Sequence, residues 1–167
     1  ENLDFMSTAS DTPDFWRREH EVYPSHGGRF TGEPAYFAQV LGAARLIMEK
    51  NNISSKDVDK VVFHMPNGKF PVKAAQTLGF KEEQWSDGLT VKEVGNPYSA
   101  AAMLGLVAVL EKAKPDETLL VVSYGSGAGS DAFLWRTTKL AGQKTAGLHK
   151  LFKTRKEINW NEYLERR

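Results

Sequence analysis

Lys60-Val61-Val62-Phe63-His64-Met65-Pro66-Asn67-Gly68-Lys69 decides how this chain is read. From Lys60 to His64 the residues are mostly β-branched or aromatic, the composition of a short buried strand. Met65-Pro66-Asn67-Gly68 forces a turn, and Phe70 or Pro71 opens a helix that reaches Leu78. Gly79 follows where a left-handed helix cap is expected. Strand, turn and helix in that order indicate an α/β fold. They also put the His64 imidazole at the C-terminal end of a strand, where such folds place their chemistry.

Upstream, Tyr36, Phe37, Val40, Leu41, Ala44, Ile47 and Met48 share one face at helical spacing. This predicts a helix from about Pro34 to Lys50, capped near Thr31 or Gly32 and ended by Asn51-Asn52. Ser54 to Asp57 reads as a turn, and His26 to Gly32 as a flexible loop. Asp11 to Trp16 reads as a turn with a bulky aromatic pair, and Leu3 to Ser7 as the end of a strand.

Downstream, Thr90 to Val94 reads as a further strand. Asn96-Pro97 supplies a capping side chain and a proline at the first helical position, predicting a helix from Tyr98 to about Ala113. Its Ala100, Ala101, Ala102, Gly105 and Ala108 allow close backbone approach, the mark of a buried central helix. Pro115-Asp116-Glu117 turns the chain into an apolar strand from Thr118 to Tyr124, and Ala132 to Thr137 resumes as a strand after a glycine-rich turn. The order is βαβαββ, with a mixed sheet and a buried helix. Residues 1–33 read as an opening strand and loop, 34–138 as the main α/β unit and 139–167 as a basic extension. That extension begins with a small-residue linker from Ala141 to Gly147.

The 167 residues, 41% hydrophobic and 26% charged, suit one domain with its own core. A net charge of +1 gives no global argument for nucleic acid, although from Thr137 onward eight Lys or Arg face three Glu. The absence of cysteine excludes disulfides, thiolate zinc sites and thiol catalysis within this chain, and a reducing cytoplasm is the expected location. No run of about 18 apolar residues predicts a membrane span. The opening at Glu1 rather than Met reads as a truncated or processed start.

Three segments carry candidate chemistry. His64 is suited to donate to a substrate carbonyl or to exchange a proton near neutral pH; the alternative is a satisfied core histidine. Asn96 is explained by capping, yet its amide NH2 remains able to donate to the same oxyanion from a helix start, and the two roles are compatible. Gly125-Ser126-Gly127-Ala128-Gly129-Ser130 lacks the third glycine of a dinucleotide fingerprint and leads into a strand, so it reads as a turn that lets backbone approach an acyl substrate. Lys69 and Lys73, four apart at a helix start, suit the phosphates of a large cofactor such as coenzyme A, or are solvated surface charges. His20 and His26 lack a supporting carboxylate at ligand spacing, and no metal site is expected.

Phe63-His64-Met65-Pro66, Gly95-Asn96-Pro97-Tyr98-Ser99 and Ser123-Tyr124-Gly125-Ser126-Gly127 together resemble the C-terminal half of hydroxymethylglutaryl-CoA synthase, a thiolase-fold enzyme. Asp14-Phe15-Trp16-Arg17 and His26-Gly27-Gly28-Arg29-Phe30-Thr31-Gly32-Glu33-Pro34 are similar to its archaeal branch and bacterial relatives. The resemblance runs from about Asp4 to Trp135 and continues weakly into Asn159 to Arg166. It implies condensation of acetyl-CoA with acetoacetyl-CoA in the mevalonate route to isoprenoids, with both thioesters as substrates and no permanently bound cofactor. By resemblance, His64 binds the acetoacetyl carbonyl, Asn96 shares that oxyanion, Ser126 lines the acyl pocket, Tyr98 joins the substrate-binding residues, and Lys69 or Lys73 meets coenzyme A.

The family's Cys nucleophile and Glu acid/base belong to an N-terminal half with no counterpart here, so this chain alone is expected to be inactive. The resemblance further implies a homodimer of the complete enzyme, an acetoacetyl-CoA thiolase partner and a zinc-ribbon/OB-fold protein bridging the two. Two alternatives remain. A ketoacyl synthase III-like condensing enzyme shares the His and Asn, and a non-catalytic thiolase-fold scaffold needs no Cys-bearing partner.

Overall fold

The computed structural model describes residues 1–142 and 147–166, with Arg29 and Phe30 described by their backbone alone. In chain order the strands are β1 (Asn2–Thr12), β2 (Phe15–Trp16), β3 (Ser25–His26), β4 (Lys60–Phe63), β5 (Thr118–Val122) and β6 (Gly127–Arg136). The α-helices are α1 (Phe37–Lys50), α2 (Phe70–Thr77), α3 (Glu82–Trp85), α4 (Val91–Val94), α5 (Ala100–Leu110), α6 (Leu148–Thr154) and α7 (Trp160–Glu165).

Four strands form one mixed sheet in the order β1-β6-β5-β4. β4 runs parallel to β5, Phe63 opposite Val122, while β6 is antiparallel to both its neighbours. The expected βαβαββ order holds for this sheet, the helices from α2 to α5 together making the second helical connection. β2 and β3 form a separate small hairpin.

One face of the sheet is covered by two helices over its inner strands. Val61, Phe63, Leu120, Val122, Ala132 and Leu134 meet Val40, Ala43, Ala44 and Ile47 of α1 and Ala74 and Ala75 of α2, all buried. Gly79, at φ +81°, ends the α2 region as the sequence predicts. The opposite face is covered only in part: Val62, Leu119 and Val121 pack on Ala102, Leu106 and Val109 of α5. Gly105 makes this approach possible, since a Cβ there would stand 2.7 Å from Val62 Cγ1 and 2.8 Å from the Gly88 carbonyl oxygen. Beyond α5 the apolar surface continues into solvent. Phe5, 61% exposed, stacks on Phe133, and Met103 on the outer side of α5 is 57% exposed.

Several expectations need correction. Thr90 to Val94 is helical: Val94 N donates to Thr90 O, Gly95 N donates to Val91 O, and Leu89 and Val91 bury against Met65 and Ala101. The local bonds satisfy the backbone without a sheet partner. The central helix starts at Ala100 with Ser99 as its cap, because Tyr98 takes a left-handed φ of +55° that interrupts the first turn. α1 starts at Phe37, after a wider turn at Gly32–Tyr36. The strand at Lys60 ends at Phe63 and that at Thr118 ends at Val122.

β1 extends to Thr12, past the expected Ser7, because it pairs along the length of β6. β6 itself begins at Gly127, so much of the glycine-rich segment is strand and the connection is confined to 123–126. Within the expected linker Ala141–Gly147, residues 143–146 lie outside the described ones. The tail beyond it is anchored by Glu111, which accepts from the Leu148 and His149 backbone N–H groups and meets His149 Nδ1 at 2.6 Å. Among the described residues no helix is long and apolar enough to cross a membrane.

Candidate active site

His64 leaves the sheet at the end of β4, its N–H donating to Val122 O at 2.8 Å as the last rung of the parallel pair. Met65-Pro66 follows, and α2 starts at Phe70 after Asn67 Oδ1 accepts from the Lys69 and Phe70 N–H groups. His64 is only 8% exposed. Its ring lies 6.5 Å from Tyr36 and 6.0 Å from Tyr124 between centroids. Burial lowers its pKa from 6.5 to about 4, so the imidazole is neutral at physiological pH. A neutral imidazole offers one N–H donor.

Beside His64 lies a cavity of about 210 Å³. Asn96, Tyr98 and Ser126 line it with His64, so the four residues that the sequence placed in catalysis or substrate binding converge there. Asn96 Oδ1 accepts from the Tyr98 N–H at 2.9 Å, a turn rather than a helix cap. Among the described residues no acceptor is recorded for its Nδ2, which leaves that amide available to a ligand. Tyr98 is 70% exposed.

Lys69 and Lys73 do not line the cavity, although Phe70, between them, does. Lys73 Nζ lies 3.4 Å from Glu33 Oε1 and 4.5 Å from the centre of the Phe37 ring. Both lysines are exposed.

Sequence reasoning missed Asp14, which is fully buried and organises the site's glycine turn. Its Oδ1 accepts from Gly127 N at 2.8 Å and its Oδ2 from the Tyr124 hydroxyl at 2.6 Å, while its backbone oxygen accepts from Gly27 N. Burial, with the Asp14 bond behind it, pushes the Tyr124 phenol well above its usual range and keeps it a donor. Asp14 stands in an aromatic turn, and its partners lie 110 and 113 residues away, so no local pattern marks it. His26 and Thr31 also line the cavity from the opening loop. His26 Nδ1 accepts from Gly28 N, and among the described residues no cluster of three or more His, Asp or Glu has the makings of a metal site.

A larger groove of about 790 Å³ lies between α6 and the α3–α4 segment. Two ion pairs cross it, Lys112 with Asp87 and Arg155 with Glu93, and it contains none of the residues that the sequence places in catalysis or substrate binding.

The family described as 3-oxoacyl-[acyl-carrier-protein (ACP)] synthase III C terminal matches residues 48–137, a span that contains His64, Asn96 and Ser126. This chain belongs to that family. It is also 51% identical over 159 residues to a hydroxymethylglutaryl-CoA synthase of Thermoplasma volcanium, covering 95% of this chain and 45% of that protein. A hydroxymethylglutaryl-CoA synthase of Archaeoglobus fulgidus is 61% identical over 132 residues, 79% of this chain and 38% of its own length. The chain thus spans less than half the length of these curated relatives. A solved HMG-CoA synthase complexed with CoA superposes with a TM-score of 0.79 at 20% identity, covering 96% of this chain and 45% of the other. That likeness establishes the shared thiolase-type fold.

Proposed function

We propose that this chain is the C-terminal half of a hydroxymethylglutaryl-CoA synthase and forms the carbonyl-binding side of its active site. The supporting observation is the convergence of His64, Asn96, Tyr98 and Ser126 on one cavity. A Cys outside these 167 residues would carry the acetyl group. Deprotonation of that acetyl methyl by a Glu of the same N-terminal half would give the carbon nucleophile, which adds to the ketone carbon of acetoacetyl-CoA.

The ketone oxygen gains negative charge in this step, and donors aimed at it lower the barrier. His64 would donate as a neutral imidazole and Asn96 through Nδ2. The backbone at Ser126, held in place by Asp14, would bound the acyl group, and Lys69 and Lys73 would approach coenzyme A phosphates outside the cavity. The alkoxide formed would take back the proton that the Glu removed. Water would then hydrolyse the thioester to the Cys, leaving that end of the product as a carboxylic acid, its other end still on coenzyme A, and the Cys thiol free.

The uncovered apolar surface around Phe5, Phe133 and Met103 would be covered by the Cys-bearing half in the cytoplasmic enzyme. Purified alone, the chain should take up no label from radioactive acetyl-CoA, and mixing with the Cys-bearing half should restore synthesis. Labelling of the lone chain would overturn the reading. The family match keeps a second one in view, a synthase III-like condensing enzyme. Turnover with an acyl-carrier-protein thioester in place of acetoacetyl-CoA would favour it.

A further inference from the structure

We infer that Tyr36 is a positioning residue for His64, holding the strand end from which the imidazole enters the cavity by a hydrogen bond from its hydroxyl to the His64 carbonyl oxygen. The inference rests on the reading of His64 as the carbonyl-binding group, and it adds a residue that neither the motifs nor the cavity lining mark. Tyr36 is fully buried at the N-terminal edge of α1, 28 residues before His64, and its hydroxyl donates to that carbonyl at 2.7 Å. The bond falls where the sheet ceases to guide the chain. The His64 N–H bond to Val122 is the last rung of the β4–β5 pair, and two residues on stands Pro66, which has no N–H to offer. A buried carbonyl at this point needs a donor from elsewhere, and Tyr36 supplies it.

The Tyr36 ring is itself fixed on several sides. Phe37 and Phe70 pack against it with centroids 5.1 Å away, and Tyr124 at 5.4 Å. One residue therefore links α1, the start of α2, the glycine turn and the end of β4. Among the described residues no hydrogen bond to the His64 ring nitrogens is recorded. The direction of the imidazole is thus set by its backbone and by the flanking aromatic rings, where a carboxylate would orient the histidine of a catalytic triad. Loss of the Tyr36 hydroxyl releases the backbone support while leaving the aromatic packing intact.

The test uses the complete enzyme, with this chain and its Cys-bearing half together. Tyr36→Phe should slow condensation about tenfold, the scale of one lost hydrogen bond, with little change in KM for acetoacetyl-CoA. In a His64→Ala background the same substitution should have no further effect, because the group it positions is gone. An equal loss in both backgrounds would make Tyr36 merely structural and overturn the inference. A crystal structure of the Tyr36→Phe enzyme should show the His64 ring displaced or in two rotamers, and an unmoved single ring would also overturn it. Should the variant fail to fold, the wild-type complete enzyme decides: a Tyr36 hydroxyl beyond hydrogen-bond reach of the His64 carbonyl contradicts the inference. Unchanged condensation in His64→Ala alone would sink the proposed function instead, and the position of the ring in Tyr36→Phe would still judge the role of Tyr36.

Discussion

His64 and Asn96 line the same cavity but are held in opposite ways. His64 is buried at the end of a sheet strand, its N–H bonded to β5, its carbonyl to Tyr36 and its ring between two tyrosines. Asn96 is half-buried in the connection between α4 and α5, where its Oδ1 accepts from the Tyr98 N–H two residues away. A donor fixed before substrate arrives contributes fully to stabilising an oxyanion, whereas one on a loop must first be ordered. The comparison therefore predicts a rigid side and an adjustable side of one site, and substitutions should separate them.

The largest effect should come from Asp14→Ala on the rigid side. It strands the Tyr124 hydroxyl and the Gly127 N–H, and two orphaned donors in a partly buried site should cost about 2–5 kcal/mol in a denaturant titration. A change below about 0.5 kcal/mol would mean that water replaces the carboxylate.

Acid should affect the same side next. Because burial lowers His64 from 6.5 to about 4, the unfolded chain binds a proton between these values that the folded chain refuses. The stability tied to His64 is complete above about pH 6.5 and falls on acidification toward pH 4, by on the order of 3 kcal/mol in all. His64→Gln should remove that slope from a plot of unfolding free energy against pH. Persistence of the slope would assign it to another group.

Asn96→Ala belongs to the adjustable side and should slow condensation about tenfold with folding stability almost unchanged. A loss of stability comparable with that of Asp14→Ala would erase the distinction between the two sides. Lys73→Ala should have the smallest effect. It breaks an exposed pair with Glu33 worth under about 1 kcal/mol, and should raise KM for the CoA thioester a few-fold with kcat unchanged. An unchanged KM would return Lys73 to the solvated surface.

The rigid side was also the more legible in sequence. The buried strand before His64, the helical face from Tyr36 to Met48 and the stop at Gly79 are written in local periodicity and turn chemistry, and the structure carries all three. The α4 segment misled because Thr90, Val91 and Val94 are β-branched, while its backbone bonds are satisfied within one helical turn. α5 starts later than the Asn-Pro spacing predicts because Tyr98 is left-handed, a conformation that the spacing does not reveal. Asp14 and Tyr36 act through partners distant in the chain, and composition carries no record of such contacts.

The most direct test of the account separates the two half-reactions in the complete enzyme carrying His64→Ala. Acetylation of the Cys from labelled acetyl-CoA should proceed as in the wild type, while condensation with acetoacetyl-CoA should slow by at least about a hundredfold, the scale for losing an oxyanion donor. Condensation at the wild-type rate would make His64 a core histidine and contradict the account.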